Sequence, residues 1–345
     1  MVASTDSNAP LVVIIGVTGQ QGGSVANALI ESSKPYRIVG LTRDASKPKA
    51  QGWAEKGVKL HEVDVAVSNE AAVAQAFEHA DIVFAVTSAL DARTKEGEIA
   101  TGRLMIDAAK AAKIKHFIWS PLESPAKWSK GRLNAVWAFD SKAEITEYLR
   151  ASGVPFSLVP AACYLSNYYG GGPLALTKQP DGSYLMRRPC SLKTLEPIID
   201  IPRDYGMYVR AAIENPGMGP GSEVLTGTLI SYEDQLANLS QCASPCLNLC
   251  VAGAEEVRKT YQRALNIVTG KKYVFRQVDR DEFNGIMTGV GLPTSFADLF
   301  YEMYEFISEF GYYGDKDIAA SQKAAGIISP TFMEMLHSQP EGSFD

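Results

Sequence analysis

The chain has 345 residues, 46% hydrophobic and 21% charged, so it can bury a large core and has the balance of neither a disordered tail nor a fibrous repeat. A net charge of −6 and a pI near 5.4 lack the basic footprint that a phosphate backbone demands, which speaks against direct nucleic-acid binding. No apolar run approaches the roughly 20 residues of a membrane-spanning helix, and five cysteines with no basic, apolar leader before Leu11 point to a reducing compartment, the cytoplasm and also the nucleus.

Residues 1–10 (MVASTDSNAP) read as a flexible tail. Beyond them, β-branched apolar runs predict strands at 11–15, 36–41, 58–63, 82–86, 116–119 and 156–159, and 3.6-residue spacing predicts helices at 25–30, 69–77, 99–112 and 139–151. Strands alternating with helices imply an α/β protein with a Rossmann-type, doubly wound parallel sheet covered on both faces, spanning 11–160. The alternation then fades into a turn-rich stretch at 170–183, a short strand and helix within 196–216, and mostly helical sequence over 280–338. Residues 161–345 therefore read as a smaller, mixed C-terminal region for a substrate or partner, packed on the first domain because no Pro- or Ser-rich linker separates them.

The sharpest motif follows the first strand: Gly16-Val17-Thr18-Gly19-Gln20-Gln21-Gly22 opens directly onto a helix. The first glycine permits a sharp turn, the second lets a pyrophosphate approach bare backbone, and the third lets the helix pack closely on the sheet. Its position ahead of a long βα alternation favours a dinucleotide over an unliganded turn, and the absence of a following G-K-[ST] argues against nucleotide hydrolysis. The second strand ends Leu41-Thr42-Arg43-Asp44, with Lys47 close behind. Arg43 suits the 2′-phosphate of NADP(H) through forked, charge-assisted bonds, whereas Asp44 is the acid that would serve the ribose of NAD if the strand ended one residue later. Asp64, closing the third strand, is placed to reach an adenine or to cap the next turn, and Thr87 and Ser88 close the fourth beside the cofactor's middle.

Proton-transfer chemistry on this plan uses a Ser ending strand five and a Tyr-x-x-x-Lys on the next helix, because i and i+4 share a face. Ser120 and Lys142 occupy two of these places, but Ala138 stands where the phenol would be. Lys142 is left to bond a nicotinamide ribose or, with its pKa lowered by burial, to act as a base; a plain surface lysine is the blander reading. After strand six, Tyr164 and Asn167 are placed to face a nicotinamide or substrate, with half-buried packing as the equal alternative for the tyrosines. The four histidines have no metal-ligand spacing, so no metal is expected.

These residues resemble the NmrA-like family, a divergent branch of the extended short-chain dehydrogenases. The likeness is carried by GVTGQQGGSVANAL, LTRDASKPKAQGW, KGVKLHEVDV, HFIWSPLES, AFDSKAEITEYLRASGVPFSLVPAACYLSNYY and SYEDQLANLS, together most of the chain. The resemblance implies NADP(H), held by Gly16, Gly19 and Gly22, with Arg43 on the 2′-phosphate, Asn167 near the nicotinamide and Lys142 as the lysine of reductase members; Ala138 agrees with the branch's lack of the tyrosine. It implies one of two roles. One is a dinucleotide-responsive redox sensor and transcriptional co-regulator that meets a protein partner such as a transcription factor. The other is an NADPH-dependent oxidoreductase acting on a small aromatic or carbonyl substrate, with Lys142 as catalytic lysine, Ser120 and Tyr164 assisting, and the 164–169 segment lining the pocket. One stretch departs from the family: CASPCLNLCVAG, within an apparent insertion near 241–254, carries Cys242, Cys246 and Cys250. Their helical spacing is broken by Pro245 and no fourth ligand is evident, so a surface loop or a translated intron is favoured over a metal or redox cluster.

Overall fold

The computed structural model describes residues 1–169, 172–215, 217–242, 271–340 and 343. Of the cysteine-bearing stretch near 241–254, Cys242 ends helix Tyr232–Cys242, and residues 243–254, with Cys246 and Cys250, lie outside the described residues.

Strands β1 (Leu11–Ile15), β2 (Arg37–Thr42), β3 (Lys59–Glu62), β4 (Ile82–Ala85), β5 (His116–Trp119) and β6 (Phe156–Leu158) form one parallel sheet in the order β3-β2-β1-β4-β5-β6. This is the expected Rossmann-type sheet. The register places Val13 between Val39 and Val83. The central strands are apolar along their whole length because both faces are covered. Between them run α1 (Gln20–Ile30), α2 (Pro48–Glu55), α3 (Glu70–Phe77), α4 (Ala89–Ala92), α5 (Lys95–Ala111), α6 (Pro125–Trp128) and α7 (Trp137–Ser152), followed later by α8 (Ile201–Glu214). Alternate side chains of a strand face opposite ways. Val83 and Ala85 of β4 join a core with Met105, Ile106 and Ala109 of α5 and Ile145 and Leu149 of α7. Phe84, between them, meets Tyr205 of α8 edge-on at 5.9 Å, and α8 lies along α1.

Two expectations are corrected here. The chain divides into two compact units, but not as contiguous stretches 11–160 and 161–345: the first comprises Met1–Ala162, Ile199–Thr226 and Tyr313–Ser329, the second Cys163–Ile198, Gly227–Tyr312 and Pro330–Asp345. The later segments return for physical reasons. Helix α8 buries Ile201, Tyr205, Tyr208, Val209 and Ala212, the Tyr205 hydroxyl donates to the Val159 carbonyl at 2.6 Å, and the edge of β6 is completed when the Leu158 N–H donates to the Ser222 carbonyl at 2.9 Å. Nor are the first ten residues a flexible tail. The N–H groups of Ala3 and Ser4 donate to the carbonyls of Lys56 and Tyr36, both at 2.8 Å, and Ala3 and Ala9 are buried.

The second unit is built on β7 (Cys163–Tyr164), β8 (Thr177–Lys178), β9 (Tyr184–Arg188), β10 (Leu195–Ile199), β11 (Thr228–Ser231) and β12 (Tyr273–Gln277), paired as β11-β10-β7 and β12-β9-β8. Its core holds a fully buried arginine: the Arg188 guanidinium sits 5.3 Å from the Tyr168 ring and 5.9 Å from those of Tyr232 and Tyr304. Cys163 and Cys190 are free thiols there, and burial pushes the Cys190 thiol up to about 12, far from a reactive thiolate. Among the described residues no His, Cys, Asp and Glu cluster could hold a metal, and no helix is long and apolar enough to cross a membrane.

Candidate functional site

The glycine loop is shaped by contacts that side chains would break. Gly16 turns the chain at a φ of +66°, and its carbonyl accepts the Gly19 N–H at 2.8 Å. A β-carbon on Gly22 would lie 2.3 Å from the Gly16 carbonyl oxygen and 2.7 Å from its carbon, so only a bare backbone lets α1 start this close to the end of β1. Gly19 caps α1 without a side-chain bond, and the helix's first turn carries no acid. Gln20, Gln21 and Gly22 thus lead the positive end of a helix dipole, with Thr18 in the turn beside them.

Strand β2 stops at Thr42, which puts Arg43 in the loop beyond its tip. There its Nη1 pairs with Asp91 Oδ1 at 2.9 Å, with both side chains largely exposed. Asp91 belongs to α4, whose capping Ser88 hydroxyl accepts the Asp91 N–H at 3.2 Å. Asp44 is turned to its own loop: its carboxylate accepts from the Ser46 hydroxyl at 2.6 Å and the Ser46 N–H at 2.9 Å, bonds that hold it below the usual carboxylate range. Lys47 caps α2, 3.9 Å from Asp44, and Asp64 is exposed.

Lys142 is not a surface lysine. Its ammonium donates to the Thr87 carbonyl at 2.8 Å, the Thr87 hydroxyl at 2.5 Å and Glu98 Oε1 at 2.6 Å, which uses all three of its hydrogens. Glu98 is fully buried and also receives the hydroxyls of Thr87, at 2.6 Å, and of Ser141. The Trp119 ring lies 5.7 Å from the Lys142 ammonium, and its indole N–H donates to the Thr146 hydroxyl at 3.0 Å. Burial drives the Lys142 pKa down and the Glu98 carboxylate opposes it, with the net shift downward.

The structure therefore brings Lys142 and Thr87 together, but around a carboxylate that the sequence reading had not singled out. Ser120 follows β5, buried, its N–H on the Ala85 carbonyl at 3.2 Å. Tyr164, half-buried, and Asn167, exposed, belong to the second unit. Glu98 had a legible signal: Gly102, Met105, Ile106 and Ala109 mark the buried stripe of α5, and Glu98 continues it one turn earlier. Asp91, in a four-residue helix, had none.

A parallel sheet of this order, with a glycine loop between its first strand and helix, defines a Rossmann-type α/β protein. The model of the NmrA-like family matches residues 8–241, and the chain belongs to that family. It is 27% identical over 317 residues to an NmrA-like family domain-containing protein of Dictyostelium discoideum, covering 90% of this chain and 93% of that one. Among solved structures, NmrA, described as a negative transcriptional regulator and solved in complex with NAD, superposes with a TM-score of 0.72 at 19% identity, over 96% of this chain and 95% of that chain. The NADPH-dependent quinone oxidoreductase of Escherichia coli, solved with NADPH, superposes with a TM-score of 0.69 at 20% identity, over 95% of this chain and 98% of that chain. At such identities the likeness is one of fold.

Proposed function

We propose that this chain binds NADP(H) and works as a dinucleotide-responsive redox sensor and co-regulator, its occupied state being read by a protein partner such as a transcription factor. The glycine loop fits the group: the space a Gly22 side chain would fill is taken by the loop backbone, and the uncapped start of α1 offers N–H donors to a pyrophosphate. Thr18, Gln20 and Gln21 line that approach. Arg43 would hold the 2′-phosphate, exchanging Asp91 for a doubly charged and better acceptor, while Lys47 would add positive charge and Asp64 would serve the adenine end. When bound, NADPH supplies two reducing equivalents. The observation that favours sensing over turnover is the closed Lys142 cluster: with Ala138 lacking a phenol and every Lys142 hydrogen engaged by Thr87 and Glu98, no proton stands ready for a substrate.

The second reading is an NADPH-dependent oxidoreductase of a small aromatic or carbonyl substrate. The likeness to quinone oxidoreductase favours it. In that case Lys142 must first leave Glu98 to serve as the catalytic lysine, with Ser120, and Tyr164 and Asn167 of the second unit, as the further candidate groups. One assay separates the two: NADPH absorbance followed with a panel of quinones and aromatic aldehydes. The sensor reading expects NADPH to bind and persist at the uncatalysed rate; consumption well above that rate for any acceptor overturns it in favour of the reductase.

A further inference from the structure

The first unit carries a cleft of about 630 Å³ that includes no residue of the glycine loop. It runs beside α7, and all its lining residues belong to that unit. Its volume suits a small molecule of drug-like size. Two aromatic residues line it, Trp128 and Tyr313, together with Leu122 and Pro160.

The aromatic wall is fixed in place. The Trp128 indole lies against the backbone of Gly314, where a β-carbon would come within 2.3 Å of its Cζ2, and its N–H donates to Glu123 Oε2 at 3.2 Å. The other oxygen of Glu123 accepts from Lys316 at 2.6 Å, and Lys316 donates again to Glu223 at 2.8 Å. These carboxylates hold the Lys316 ammonium charged, raising its pKa against the opposing effect of burial. Two of its three hydrogens are thereby used, and the third has no acceptor among the described residues. The charged lining residues nearly cancel, four carboxylates against three cations, which favours neither an anion nor a cation as guest.

We infer that this cleft is a second ligand site, which takes a neutral, planar aromatic carbonyl compound: the ring lies against Trp128 and Tyr313, and the carbonyl oxygen accepts the remaining Lys316 hydrogen. The site connects to the Lys142 cluster through one side chain. Thr146 lines the cleft, and its hydroxyl donates to the Lys142 carbonyl at 2.7 Å while accepting from Trp119. An occupant therefore presses on the same helix turn that positions Lys142.

The inference does not depend on dinucleotide binding, so its test uses the full chain free of dinucleotide. Calorimetric titration with coumarin should saturate at one molecule per chain with a Kd on the order of 0.1 mM, as expected for a ligand of that size. Lys316→Met and Trp128→Leu should each weaken binding about tenfold, the value of one lost hydrogen bond or ring contact. Lys316→Arg, which keeps the charge between Glu123 and Glu223, should retain binding within about threefold and guards against a folding defect in the methionine variant. No saturation with the parent chain, or equal affinity in the methionine and leucine variants, overturns the proposal.

Discussion

At the scale of single residues, the informative contact is Lys142 with Glu98. Both side chains are buried, so their mutual attraction acts where neither is well solvated, and each is costly without the other. Lys142→Met, which leaves the Glu98 carboxylate without its cation, is expected to cost about 3–5 kcal/mol in urea unfolding at neutral pH. The double variant with Glu98→Leu should recover most of that loss, because a well-packed apolar pair replaces an ion pair at little cost. A loss below about 1 kcal/mol for Lys142→Met would show that the ammonium is not a strut between α5, α7 and the end of β4. The sequence pointed to Lys142 and Thr87 separately. Nothing in their spacing revealed that a carboxylate from α5 joins them, since Glu98 sits among the exposed charges of KEGEIA and only its place on the buried stripe distinguishes it.

At the scale of elements, the strands are legible because burial on both faces leaves continuous apolar runs: the strands at 11–15 and 116–119 lie where the sequence puts them, and the other four agree to within one residue at each end. The short helices α2, α4 and α6 escaped, although Pro48 and Pro125 each stand in a first turn and Ser124 supplies a cap. A four-residue helix has too little periodicity to register. The pairing of β5 with β6 also buries a titratable group. His116 Nε2 lies 2.8 Å from the Ser157 hydroxyl, and burial lowers its pKa from the ordinary 6.5 to about 4. The unfolded chain then binds more protons between those values, so the contribution is complete above pH 6.5 and is lost as pH falls toward 4, about 3 kcal/mol in all. His116→Gln should flatten this part of the stability profile in chemical unfolding between pH 4 and 7; an unchanged slope would place the titration elsewhere.

At the scale of the whole molecule, the parallel sheet follows from alternation, whereas the grouping into units does not. Segments Ile199–Thr226 and Tyr313–Ser329 rejoin the first unit across long stretches of chain, and neither carries a local sequence signal for where it packs. Function stands at the same level, because loop, Arg43 and α1 act only as an assembly. The central claim is that this assembly holds a phosphorylated dinucleotide. Calorimetric titration of the purified chain with NADP+ and NAD+, repeated on Arg43→Ala and Gly22→Ala, tests it most directly. The account predicts tighter binding of NADP+, a gap that closes to within about twofold in Arg43→Ala as its charge-assisted bonds are lost, and loss of both ligands in Gly22→Ala, whose new β-carbon would strike the Gly16 carbonyl. Failure of both dinucleotides to bind the parent chain, or an NADP+ preference that survives Arg43→Ala, would contradict it.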